Sequence, residues 1–104
     1  MIEHTIDIPQ NLDDRTVTAA VQRICAREDL TLGMKTSLKK YPGCTHWHFK
    51  RHAEKGILEV TWWPGTGEKR PSQLWLSCHG NRGAAWITEL MPRLTMLIEN
   101  AFRT

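Results

Sequence analysis

Several kinds of chemistry are missing from this sequence. Cysteine is scarce, because Cys25, Cys44 and Cys78 form an odd set of three with no CxxC spacing. That excludes a disulfide framework and a cysteine zinc ribbon, and it points to reduced structural thiols, Cys25 in a helix core and Cys78 on a buried sheet face. No G-x-S-x-G elbow occurs, which removes the usual strand-to-helix nucleophile signal. Gly65-Thr66-Gly67-Glu68-Lys69 lacks phosphate-loop spacing and joins two expected strands, so nucleotide hydrolysis has no support. No apolar run is long enough to span a bilayer, and Met1–Ile8 shows no basic region followed by an apolar stretch. The expectation is a cytoplasmic chain with no membrane partner. Repeats, low-complexity tracts and linkers are also lacking, so residues 1–104 read as a single domain. No cofactor is expected.

What is present argues for an ordered core. Hydrophobic residues make up 40% of the chain and tryptophan occurs five times, which a disordered segment does not show. The formal charge of +3 is mild, and it permits a polyanionic partner without demanding one.

The most informative stretch runs from Thr45 to His79 and reads as three consecutive strands of a meander. Alternate side chains of a strand point to opposite faces. Trp47 and Phe49, then Leu58, Val60 and Trp62, then Leu74, Leu76 and Cys78 make one apolar face. A loop over 52–55 predicts Trp47 opposite Val60, Phe49 opposite Leu58 and His48 opposite Glu59, so the apolar sets coincide. The second connection, 64–72, is rich in turn residues, and pairing Trp63 with Gln73 sets Trp75 opposite Thr61 and Ser77 opposite Glu59.

Around this meander, Ile2, His4, Ile6 and Ile8 alternate as an added N-terminal strand ended by Pro9. Val17, Ala20, Val21, Ile24 and Cys25 predict a helix over about residues 13–28, with Asn11, Asp13 and Asp14 as cap candidates. A further strand fits 31–39, with Gly33 as a bulge, and 39–43 then reads as a turn into the meander. The last apolar stripe, Ile87 to Ala101, predicts a helix kinked or broken at Pro92. The fold class is α+β: an antiparallel sheet of three to five strands, core order αβββα, with two helices on one face.

The other sheet face then carries His46, His48, Lys50, Glu59, Thr61, Trp63, Trp75, Ser77 and His79. The leading functional expectation is a non-enzymatic binding or interaction module using that face, for an unknown protein or small ligand, as a monomer or homodimer. Its candidate ligand-binding residues are His46, His48, Lys50, Glu59, Trp63, Trp75, His79 and Arg82. Exposed rings beside cations also suit single-stranded nucleic acid, since bases stack on aromatics while phosphates meet Lys and Arg. A third reading is a small metal-dependent enzyme. His46 and His48 lie about 6.6 Å apart along one strand face, and Glu59 across the strand can complete a metal set.

Two resemblances bear on these readings. His46-Trp47-His48 followed by Glu54 is faintly similar to the cupin motif, but the spacings differ and the second cupin motif is absent, which excludes that barrel. The αβββα order over about residues 13–102 resembles the double-stranded RNA-binding domain in topology alone. That family's basic run falls here on Asn81-Arg82-Gly83-Ala84-Ala85-Trp86, where only Arg82 matches, so its RNA-binding residues do not carry over. Gly80-Asn81-Arg82-Gly83 reads as a turn and cap before the last helix.

Overall fold

The computed structural model describes residues 1–66 and 69–103, so Gly67 and Glu68 of the 64–72 connection lie outside the described residues. The chain forms β1 (Ile2–Ile6), α1 (Asp14–Arg27), β2 (Thr31–Thr36), β3 (Thr45–Lys50), β4 (Leu58–Trp63), β5 (Gln73–Cys78) and α2 (Ala85–Ala101). A short 3-10 turn at Gly80–Arg82 precedes α2. All strand pairs are antiparallel, in the order β1-β5-β4-β3-β2. The meander supplies four adjacent strands. α1 carries the chain across the sheet from one edge to the other, and β1 closes onto β5.

Burial decides the register. Trp47 pairs with Val60, Phe49 with Leu58 and His48 with Glu59. Trp63 pairs with Gln73, Trp75 with Thr61 and Ser77 with Glu59. These are the pairings that superimpose the apolar sets, and a one-residue slip would turn every core side chain outward. Trp47, Phe49, Leu58, Val60, Trp62, Leu74 and Leu76 are buried with Val17, Val21, Ile24, Ile87, Met91, Leu94 and Ile98 of the two helices. Burying one such side chain stabilises the fold by about 1.5–3 kcal/mol. The indoles bring their donors to partners: Trp62 Nε1 donates to Asp14 (2.7 Å), Trp47 Nε1 to Gln22 (3.2 Å) and Trp86 Nε1 to the Lys55 carbonyl (2.7 Å).

Local chemistry sets the ends of α1. The Asp13 side chain accepts from the Thr16 amide at 2.7 Å, and that hydrogen bond holds its carboxyl below the usual range. At the other end Asp29 takes a left-handed φ of 63°, and the Leu30 amide reaches back to the Cys25 carbonyl at 3.0 Å. Burial pushes the Cys25 thiol up to about 12, consistent with a structural role.

Three sequence expectations need correction or refinement. Gly33 is the bulge, since Leu32 pairs with Phe49 and Met34 with His48. The extra residue flips the alternation, so Leu32 shares the helix-covered face while Met34 shares the other. Of the kink or break expected at Pro92, the break is not found: α2 runs unbroken from Ala85 to Ala101. Met91, Leu94 and Ile98 are buried on both sides of the proline, and their packing outweighs a helix-interior cost of about 3 kcal/mol. Finally, residues 37–44 are more than a turn. They lie over the second sheet face, where Tyr41 packs against Trp63 (5.6 Å between centroids) and Trp75 (5.1 Å), and the Pro42 carbonyl accepts from Trp63 Nε1 at 3.1 Å.

The hairpin between β3 and β4 docks on the start of α2. Gly56 has φ of 104°, and a Cβ there would meet Ala84 and Ile87 at 2.9 Å. The Ile57 amide donates to the Arg82 carbonyl at 3.0 Å. Only glycine fits this approach.

Candidate functional site: a buried His-His-Glu cluster

The sheet face away from the helices is built in rungs. One rung places Thr5, Trp75, Thr61, His46 and Thr36 side by side, and the next places Glu3, Ser77, Glu59, His48 and Met34. His46 and His48 stand two residues apart on β3, so they share this face. Glu59 lies directly across from His48 and diagonally from His46, within reach of both imidazoles.

The three side chains converge. His46 Nε2 is 3.2 Å from Glu59 Oε1, His48 Nε2 is 3.4 Å from the same oxygen, and the two Nε2 atoms are 3.1 Å apart. His46 Nδ1 lies 2.8 Å from Thr61 Oγ1. When Nδ1 carries the proton and donates to that hydroxyl, Nε2 is left with a bare lone pair facing the cluster. Burial holds the His46 imidazole below its ordinary pKa; Glu59 pulls the other way and His48 adds to the lowering. His46 therefore favours the neutral form that a metal ligand needs.

The cluster is enclosed. Side-chain exposure is 6% for His46, 5% for Glu59 and 15% for His48. Glu59 Oε2 is buried and receives no hydrogen bond. His79 Nε2 comes within 3.3 Å of it as an ion-pair contact, with half of the His79 side chain exposed. Burying a carboxyl oxygen without a donor is costly, and such an orphan in a native fold needs an explanation. His46, His48 and Glu59 together form a group whose donor atoms can meet at one cation.

The expected binding face is thus partly assembled and partly not. His46, His48 and Glu59 come together, with His79 at their margin. Trp75 is half-buried against Tyr41, while Trp63 is only 8% exposed and sealed beneath residues 37–44. The expectation that this face lies open is corrected there, and Trp63 offers no free ring for a base to stack on. Lys50 is exposed at the end of β3, opposite Thr31, and Arg82 is exposed in the turn before α2. Neither is hydrogen-bonded or ion-paired to the cluster among the described contacts. Ser77 does lie in a row with Glu59 and His48, but Glu59 stands between the hydroxyl and the imidazole, which is the wrong order for activating a serine. Glu54, the carboxylate of the rejected cupin-like spacing, is exposed and pairs with Arg51 at 3.5 Å.

Thr61 and Tyr41 are functional candidates that the sequence left without a role. The predicted register already put Thr61 opposite His46. Tyr41, the single tyrosine, sits in a segment with no periodicity, and nothing in its spacing announces where it packs. No protein-family model matches the chain, and no curated protein or solved structure matches it either. Any functional reading therefore rests on the site itself. Among the described residues, no helix is long and apolar enough to cross a membrane.

Proposed function

We propose that this protein is a metal-binding module that holds one divalent first-row transition ion through His46 Nε2, His48 Nε2 and Glu59 Oε1. One observation carries the reading: three potential donor atoms form a triangle with edges of 3.1, 3.2 and 3.4 Å. Bonds of about 2.0–2.2 Å from a common ion give donor–donor edges of about 3.0 Å at right angles and about 3.4 Å in a tetrahedron. The triangle spans that range.

Hydrogen bonding accounts for the same contacts less well. Two neutral Nε2 atoms 3.1 Å apart can share at most one proton, and Glu59 Oε2 accepts no hydrogen bond, with only the half-exposed His79 near it. A bound ion gives all three lone pairs one acceptor and neutralises the buried carboxylate. The Thr61 hydroxyl is a suitable outer partner, because it orients the His46 ring and can accept from Nδ1–H once Nε2 is on the ion. Two imidazoles and one carboxylate favour zinc, iron or cobalt over calcium or magnesium. Zinc is the first ion to try.

The test is metal content by mass spectrometry on gently purified protein, alongside a His46→Ala, His48→Ala double variant. The expected result is close to one equivalent of ion in the wild type and its loss in the variant. Equal metal content in both proteins would eliminate the site.

A further inference from the structure

A pocket of about 230 Å³ adjoins the cluster, with His46 and Glu59 forming part of its wall. The rest of its lining differs in character: Tyr41 and Trp75 contribute aromatic surface, Ser77 a hydroxyl, and Lys40 a cation, with Glu3 at the margin. Lys40 Nζ lies 5.6 Å from the Tyr41 ring centroid. Leu38, Lys40 and Tyr41 of the 37–44 segment line one side, held by the Tyr41 contacts and by hydrogen bonds linking Leu38, Tyr41 and Cys44. The volume is below the range of about 300–1,000 Å³ typical for drug-sized ligands. Its occupant is a small molecule.

From this arrangement we infer that the pocket takes a small monocarboxylate with a flat apolar body, whose carboxylate completes the coordination of the ion held by His46, His48 and Glu59. The inference rests on the metal reading and adds its ligand class. Two neutral imidazoles and one carboxylate leave a divalent ion with a net charge of +1 and at least one free position, which an anionic oxygen fills. Lys40 adds attraction at the mouth, offset in part by Glu3. Tyr41 and Trp75 give the remainder of the ligand an aromatic wall. A bare inorganic anion would leave that wall unused.

The experiment uses protein stripped of metal and reloaded with one equivalent of cobalt(II), whose visible bands report changes in coordination. Sodium benzoate and sodium acetate are titrated separately into wild type, Tyr41→Ala and Lys40→Ala. Both anions should shift the bands saturably, with benzoate binding about fivefold more tightly because of ring contacts. Tyr41→Ala should retain cobalt and lose the benzoate preference. Lys40 is exposed, so its replacement leaves the fold intact and should weaken both anions by about two- to fivefold. That variant keeps the inference testable even if Tyr41→Ala does not fold. Bound cobalt with bands indifferent to both anions would overturn the inference while leaving the metal reading in place. Equal affinity for the two anions would overturn the aromatic wall. Failure to bind cobalt at all would sink the metal reading, and the ligand with it.

Discussion

The two faces of this sheet use the same strands for opposite ends. The helix-covered face is dry and self-consistent: Trp47, Phe49, Leu58, Val60, Trp62, Leu74 and Leu76 meet apolar side chains, and its indole donors find partners. The other face is buried at its centre, yet there it encloses two histidines, a glutamate, a threonine and a serine, with one carboxyl oxygen that accepts no hydrogen bond. The first face explains why the chain folds. The second is not the cheapest way to fold a chain, and its cost makes sense where the buried polar atoms hold something.

The comparison can be broken most strongly on the dry face. Trp47→Ala should destabilise the protein by about 3–5 kcal/mol in chemical denaturation, because it empties a fully buried site in the core. Metal affinity in whatever fraction stays folded should change little. On the polar face the pattern should reverse. Glu59→Gln should lower zinc affinity by more than about 100-fold, since changes to outer partners alone cost 10–100-fold. In chelator, the same variant should match the wild type within about 1 kcal/mol or exceed it, because His46 is held neutral and no orphaned charge is left behind. A large loss of metal-free stability would show that Glu59 belongs to the architecture.

Thr61→Val comes next. The side chain is buried and the replacement keeps its shape, so a folded protein is expected with zinc affinity about 10–100-fold weaker by calorimetric titration. Smallest of all, Lys50→Ala and Arg82→Ala should each leave stability within about 0.5 kcal/mol and zinc binding unchanged, since both side chains are exposed and away from the cluster. A fall in zinc affinity from either would enlarge the site.

Much of the architecture was legible because alternation and burial are tightly coupled in strands. The β3–β4–β5 register follows from matching Trp47 with Val60 and Trp62 with Leu74, and that register already brings His46, His48 and Glu59 together. The ligand triangle is thus a consequence of core packing on the opposite face. Less legible were features set by contacts distant in sequence. Residues 37–44 have no periodicity, and their position depends on Tyr41 meeting Trp63 and Trp75 from strands well downstream. So a face that reads as open is covered around Trp63 and Trp75. Pro92 does not break α2 for a related reason: a local breaker rule was overridden by the burial of Met91, Leu94 and Ile98. The side of the sheet taken by Met34 could be settled only by seeing Gly33 act as the bulge.

The most direct test of the central claim is to follow the imidazole nitrogen resonances of the five histidines while one equivalent of zinc is added to metal-free protein. His46 and His48 should both shift at Nε2 and saturate together at one equivalent, with Nδ1 of His46 still protonated. His4 and His52, which stand outside the cluster, should not move. Unchanged His46 and His48 resonances, or equal shifts at all five histidines, would contradict it.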